Sequence, residues 1–106
     1  MKKTILCCLT LAAFSAGYAL AGDAKAGQAA YDKSCKGCHG ATGVANPAVA
    51  KMLSATIPDL GSGEVQGLSD ADIQKIISDG KGKMKPVKTL SAAPDDVVAY
   101  IRTLKK

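Results

Sequence analysis

The chain has no tryptophan, one phenylalanine and three tyrosines, which excludes a core built mainly on large aromatic side chains. It has a single histidine, His39, which excludes any site that needs two imidazoles. No segment alternates apolar and polar residues for long enough to argue a β-strand. Its basic residues are not interleaved with stacking aromatics, so a net charge of +5 does not point to nucleic acid.

The amino-terminal stretch reads as an export signal rather than part of a fold. Met1-Lys2-Lys3 is basic, Ile5 to Ala16 is apolar, and Ala19-Leu20-Ala21 offers the small residues a signal peptidase cuts after. Residues 1–21 are therefore expected to be a cleaved signal, and the mature protein to be periplasmic. A membrane anchor competes, but Ile5 to Ala21 is at the short limit for spanning a bilayer and no basic cluster follows it. Cys7 and Cys8 lie too early for lipidation and are expected to leave with the signal. After cleavage no stable membrane insertion is expected.

Gly22 to Lys106 then forms one expected domain of 85 residues, with Tyr31 and Tyr100 as its aromatics. A chain this short seldom builds a sufficient core alone, and usually needs a disulfide, a metal or a cofactor. Its remaining cysteines, Cys35 and Cys38, are too close together to close a long stabilising loop. Twelve Lys and Arg against nine Asp and Glu leave a mature charge of +3.

Ala24, Gly27, Tyr31 and Cys35 share one helical face, predicting a helix from Asp23 to about Lys36 with Asp23 at its start. Gly40 to Pro47 reads as loop and Ala48 to Ala55 as a short helix, followed by a loop through Pro58 and Gly61-Ser62-Gly63. Ser69 is an N-cap candidate with Asp72 three residues on, Gly80 a stop, and Ile73, Ile76 and Ile77 the buried face between them. A last helix is expected from near Ser91, with Pro94 in its first turn and Val97, Tyr100, Ile101 and Leu104 on its apolar side.

The chemistry concentrates in Cys35-Lys36-Gly37-Cys38-His39. C-x-x-C-H is the attachment pattern of c-type haem: each thiol adds across one vinyl group, and the histidine that follows can bind iron through Nε2. Its other ring nitrogen needs an acceptor, which the loop around Pro47 is expected to supply. A thioredoxin-like dithiol would need a β-α-β context, a zinc site a fourth ligand, and a simple disulfide would leave the small core unexplained. The other axial position falls to methionine, lysine or nothing. Met52 lies in Ala- and Leu-rich sequence and reads as a packing residue. Met84 lies in a Gly- and Lys-rich loop between two helices and is the favoured ligand.

These residues resemble the class I cytochromes c over nearly the whole mature chain. Gly27 and Tyr31 are similar to that family's first helix, and Val97, Tyr100 and Ile101 to its last; Lys81-Gly82-Lys83-Met84-Lys85-Pro86 resembles its methionine loop, with Lys85 where many members have proline. The resemblance implies an all-α class I cytochrome c fold of three to four helices around one haem c. The first and last helices would cross closely at the glycine, with His39 and Met84 as axial ligands and Cys35 and Cys38 as tethers. The expected function is single-electron transfer between redox proteins with acidic docking faces, by a monomer that is not an enzyme. A haem enzyme or gas sensor with an open axial position, or a haem subunit of a larger oxidoreductase, are the alternatives.

Overall fold

The computed structural model describes residues 22–106; the expected signal at 1–21, with Cys7 and Cys8, lies outside the described residues. Among the described residues there are six helices and no strand: α1 (Ala24–Ser34), α2 (Lys36–His39), α3 (Pro47–Leu53), α4 (Gly63–Gln66), α5 (Asp70–Asp79) and α6 (Pro94–Thr103). The all-α class is as expected. The helix number exceeds the expected three or four because two single-turn helices, α2 and α4, were not legible as periodicity.

Local capping explains most boundaries. The Asp23 carboxylate accepts from the backbone N–H groups of Lys25 at 2.9 Å and Ala26 at 3.4 Å. Helix α1 stops before Cys35, whose φ of −119° departs from helical torsion and splits the expected run to Lys36 into two pieces. Pro47 opens α3 at the position where its missing N–H costs nothing, capped by Asn46 Oδ1 accepting from Ala48 N at 3.1 Å. Ser69 Oγ caps α5 by accepting from Asp72 N at 3.1 Å, and Gly80 ends it at φ 78°. Ile73 and Ile77 are buried, whereas Ile76 is only half-buried.

The last helix begins slightly beyond the expected start near Ser91, with Ala93 as its N-cap residue and Pro94 in its first turn as expected. The reason is Asp96. One of its oxygens accepts from Ala93 N at 3.2 Å and the other from Asp23 N at 2.7 Å, so one carboxylate joins the starts of α1 and α6.

The core is formed where α1 packs on α6, with α5 alongside. Ala30, Tyr31, Val97, Val98, Tyr100 and Ile101 are buried there, joined by Ile73, Ile77, Leu60 and Val65. Gly27 lies at the crossing: a Cβ there would sit 1.8 Å from the Asp96 carbonyl oxygen, so only glycine permits this approach. The Tyr31 and Tyr100 rings meet at 5.0 Å between centroids, tilted by 55°. Arg102 holds α4 and α5 to α6, donating to Gln66 O at 2.9 Å, Leu68 O at 2.7 Å and Asp70 Oδ1 at 2.6 Å. No helix among the described residues is long and apolar enough to cross a membrane.

Candidate functional site

Five residues after α1 build the chemical centre. His39 N donates to Cys35 O at 2.9 Å and Cys38 N to the same oxygen at 3.2 Å, which makes this pentapeptide a helical turn. Residues three and four apart on such a turn are neighbours on one face, so Cys35, Cys38 and His39 lie side by side. Cys35 is buried and Cys38 exposed, and both thiols are free. Gly40, at φ 76°, then reverses the chain; a Cβ there would lie 2.0 Å from Val44 O. Asn46 N donates to Cys38 O at 3.1 Å and returns the following loop to the turn.

The electrostatics of these groups separate the competing chemistries. Burial, and secondarily the neighbouring Cys38, push the Cys35 thiol above its ordinary pKa. A redox-active dithiol needs the opposite shift, toward thiolate. Burial lowers the His39 pKa below 6.5, which favours the neutral imidazole that can coordinate a metal. Its Nδ1 is buried without a hydrogen-bond partner, so the acceptor expected from the loop around Pro47 does not reach it. Among the described residues no three His, Cys, Asp or Glu side chains gather as a metal site, and so Cys35, Cys38 and His39 do not converge in the way zinc requires.

The two methionines are treated differently by the fold. Met84 is half-buried and packs against the core. A tight turn holds it: Lys81 N donates to Met84 O at 3.0 Å and Met84 N to Lys81 O at 2.9 Å, with Gly82 at φ 57° between them. Val87 N donates to Ile77 O at 2.8 Å and ties this loop to α5. Met52 is 76% exposed, which corrects its reading as a packing residue. Being on the outward side of a seven-residue helix, it has nothing to fill. Val44 is also left 50% exposed.

Two hydroxyl contacts at the site were missed in the sequence. Tyr31 OH donates to Gly40 O at 2.6 Å and Tyr100 OH to Ala41 O at 3.5 Å, so both core tyrosines reach the backbone just after His39. Periodicity placed both rings in the core but carries no information about where a phenol ends.

These residues fit a covalently held haem. Two free thiols and an imidazole share one face of a turn, and a thioether is fixed in a separate loop.

A family model described as cytochrome c oxidase, cbb3-type, subunit III matches residues 22–101. The solved structure of KustC0563 c-type cytochrome is similar to this chain, with 31% identity and a TM-score of 0.59 over 76% of this chain and 98% of that one. No curated protein matches the chain. Motif, helical fold and both similarities agree, and the chain belongs to the c-type cytochromes, small class I-like proteins whose family character implies covalently bound haem c and electron transfer.

Proposed function

We propose that this protein is an exported, monomeric monohaem electron carrier, tethered to its haem by Cys35 and Cys38 and ligating the iron through His39 and Met84. The observation that carries this reading is the helical turn closed by His39 N and Cys35 O at 2.9 Å, which sets two thiols and one imidazole on a single face. When bound, haem c supplies an iron that passes between ferric and ferrous states by one electron.

The chain's own residues set the conditions for that couple. Burial lowers the His39 pKa and so favours the neutral imidazole, whose lone pair can bind a metal. Met84 contributes a soft sulfur, which favours the ferrous state and raises the reduction potential relative to harder ligation. With His39 and Met84 both holding the iron, no open position would remain on it for a substrate, which favours a carrier over a haem enzyme or gas sensor.

Covalent attachment is tested directly. After denaturing electrophoresis, haem staining should colour the protein band, and acid-acetone should leave the haem on the chain. Replacing both Cys35 and Cys38 by Ala should release it. Freely extractable haem in the unaltered protein would sink the reading.

The partner face is proposed from charge. Lys81, Lys83, Lys85 and Lys88 are all exposed around Met84, and none forms a salt bridge among the described residues. Four ammonium groups of one sign can steer an acidic redox partner and raise association rates by about 10- to 1000-fold at low salt. At physiological ionic strength the Debye length is about 8 Å, so the gain should fade as salt is added. Stopped-flow oxidation by an acidic partner should slow with ionic strength, and should slow at low salt when Lys83 and Lys85 are both changed to Glu. A rate indifferent to salt and to charge reversal returns these lysines to the role of a solvated loop.

A second reading has one specific support, the subunit named in the matching family model. In that case the domain works as a haem subunit bound within an oxidoreductase complex. A size measurement on the native extract separates the two: a carrier migrates as a small monomer, a subunit with its complex.

A further inference from the structure

Histidine ligands usually have their ring orientation set by a hydrogen bond from the second nitrogen. Here Nδ1 of His39 is buried without one. The backbone on either side of the residue is held instead. Asn46 N donates to Cys38 O at 3.1 Å on one side, and Tyr31 OH donates to Gly40 O at 2.6 Å on the other. The second bond is at the short end for a hydroxyl donor. It comes from a fully buried ring wedged against Tyr100, so the hydroxyl has little freedom to leave. Burial also raises the Tyr31 pKa well above the ordinary phenol range, and the group stays a donor. The residue it grips is a glycine at φ 76°, the kind of position with many backbone conformers when nothing restrains it.

We propose that Tyr31 is a positioning residue for His39: it fixes the Gly40–Ala41 peptide, one residue beyond the ligand, and through the turn at Gly40 the backbone that carries the imidazole. The proposal rests on His39 being the axial ligand. Tyr100 makes the natural comparison. It belongs to the same ring pair, but its hydroxyl reaches Ala41 O only at 3.5 Å, the limit of a hydrogen bond and one residue further from the ligand.

The test uses the full haem-loaded protein with Tyr31→Phe and, separately, Tyr100→Phe. In the ferric state, the paramagnetically shifted proton resonances of the axial imidazole and the haem methyls report ligand orientation. Tyr31→Phe is expected to shift and reorder them, and to speed amide exchange at Gly40 and its neighbours by up to about tenfold. Its Tm should fall by about 4–8 °C. Tyr100→Phe should lower Tm without changing the resonance pattern. A Tyr31→Phe protein that loses Tm but keeps the unaltered pattern reduces the hydroxyl to a structural contact and overturns the proposal. Should that variant fail to retain haem, the unaltered protein decides: the Tyr31 hydroxyl proton must exchange slowly and show a dipolar contact with Gly40, and a rapidly exchanging proton overturns it. Failure of the underlying reading looks different, because the unaltered protein would then show no shifted imidazole resonances from His39.

Discussion

Met84→Ala is expected to abolish the weak near-infrared sulfur-to-iron charge-transfer band of the ferric protein and to lower its reduction potential. The potential should fall by a sizeable share of the range of about 0.8 V that axial ligands span across haem proteins. The expectation follows from the way the loop is built. The two backbone bonds between Lys81 and Met84 fix the start of the thioether, and Val87 N to Ile77 O anchors the chain beyond it. Met52→Ala is the control. With Met52 76% exposed on α3, its truncation should leave the band in place and change stability by no more than about 0.5 kcal/mol. Loss of the band in the Met52 variant alone would reverse the ligand assignment. Loss in neither would return the iron to a lysine or to an open position, and with it the enzyme or sensor reading.

Gly27→Ala should be among the most damaging small substitutions in the chain. Two effects oppose each other. Alanine is favoured over glycine in a helix interior by about 1 kcal/mol. Against that, the added methyl would lie 1.8 Å from the Asp96 carbonyl oxygen and 2.4 Å from its carbon. Both are backbone atoms, neither can rotate away, and α1 must lift off α6. Overpacking of this kind costs typically about 1–3 kcal/mol and sometimes more, so a rigid backbone overlap belongs at or above the upper end. The expected net loss is about 2 kcal/mol or more, and a domain of this size should lose about 8–16 °C in Tm. That is a large part of the roughly 5–15 kcal/mol of a typical domain. Gly63→Ala, where no atom lies within 4 Å of the added carbon, should stay within about 0.5 kcal/mol. A Gly27→Ala protein that melts with the unaltered one would mean the two helices do not cross there.

Several features are legible in the sequence because they are short-range. The caps at Asp23 and Ser69 and the stop at Gly80 each depend on atoms within a few residues, and all are observed. Where the reading failed, a partner distant in sequence was responsible. Ser91 marks the start of the last helix only approximately, because Asp96, bonded also to Asp23 N, sets the boundary at Ala93. Helix α4 was hidden among glycines, and it exists because Val65 is buried while Gln66 Nε2 bridges the carbonyls of Leu60 and Ile101 at 2.8 and 3.0 Å. Met52 had a packing residue's neighbours in sequence but points away from the core.

The chemistry available to this protein is legible in its residues alone: one histidine directly after a pair of cysteines three apart, two candidate methionines, and a chain too poor in aromatics to fill a core. Those are matters of residue type and covalent spacing, and folding does not alter them. The folded chain was needed to show which glycine admits a helix crossing, which methionine is held against the core, and that the Tyr31 hydroxyl donates to Gly40 O. Each of those depends on a distance between residues far apart along the chain, and such distances exist only once burial of the α1 and α6 faces has brought the segments together.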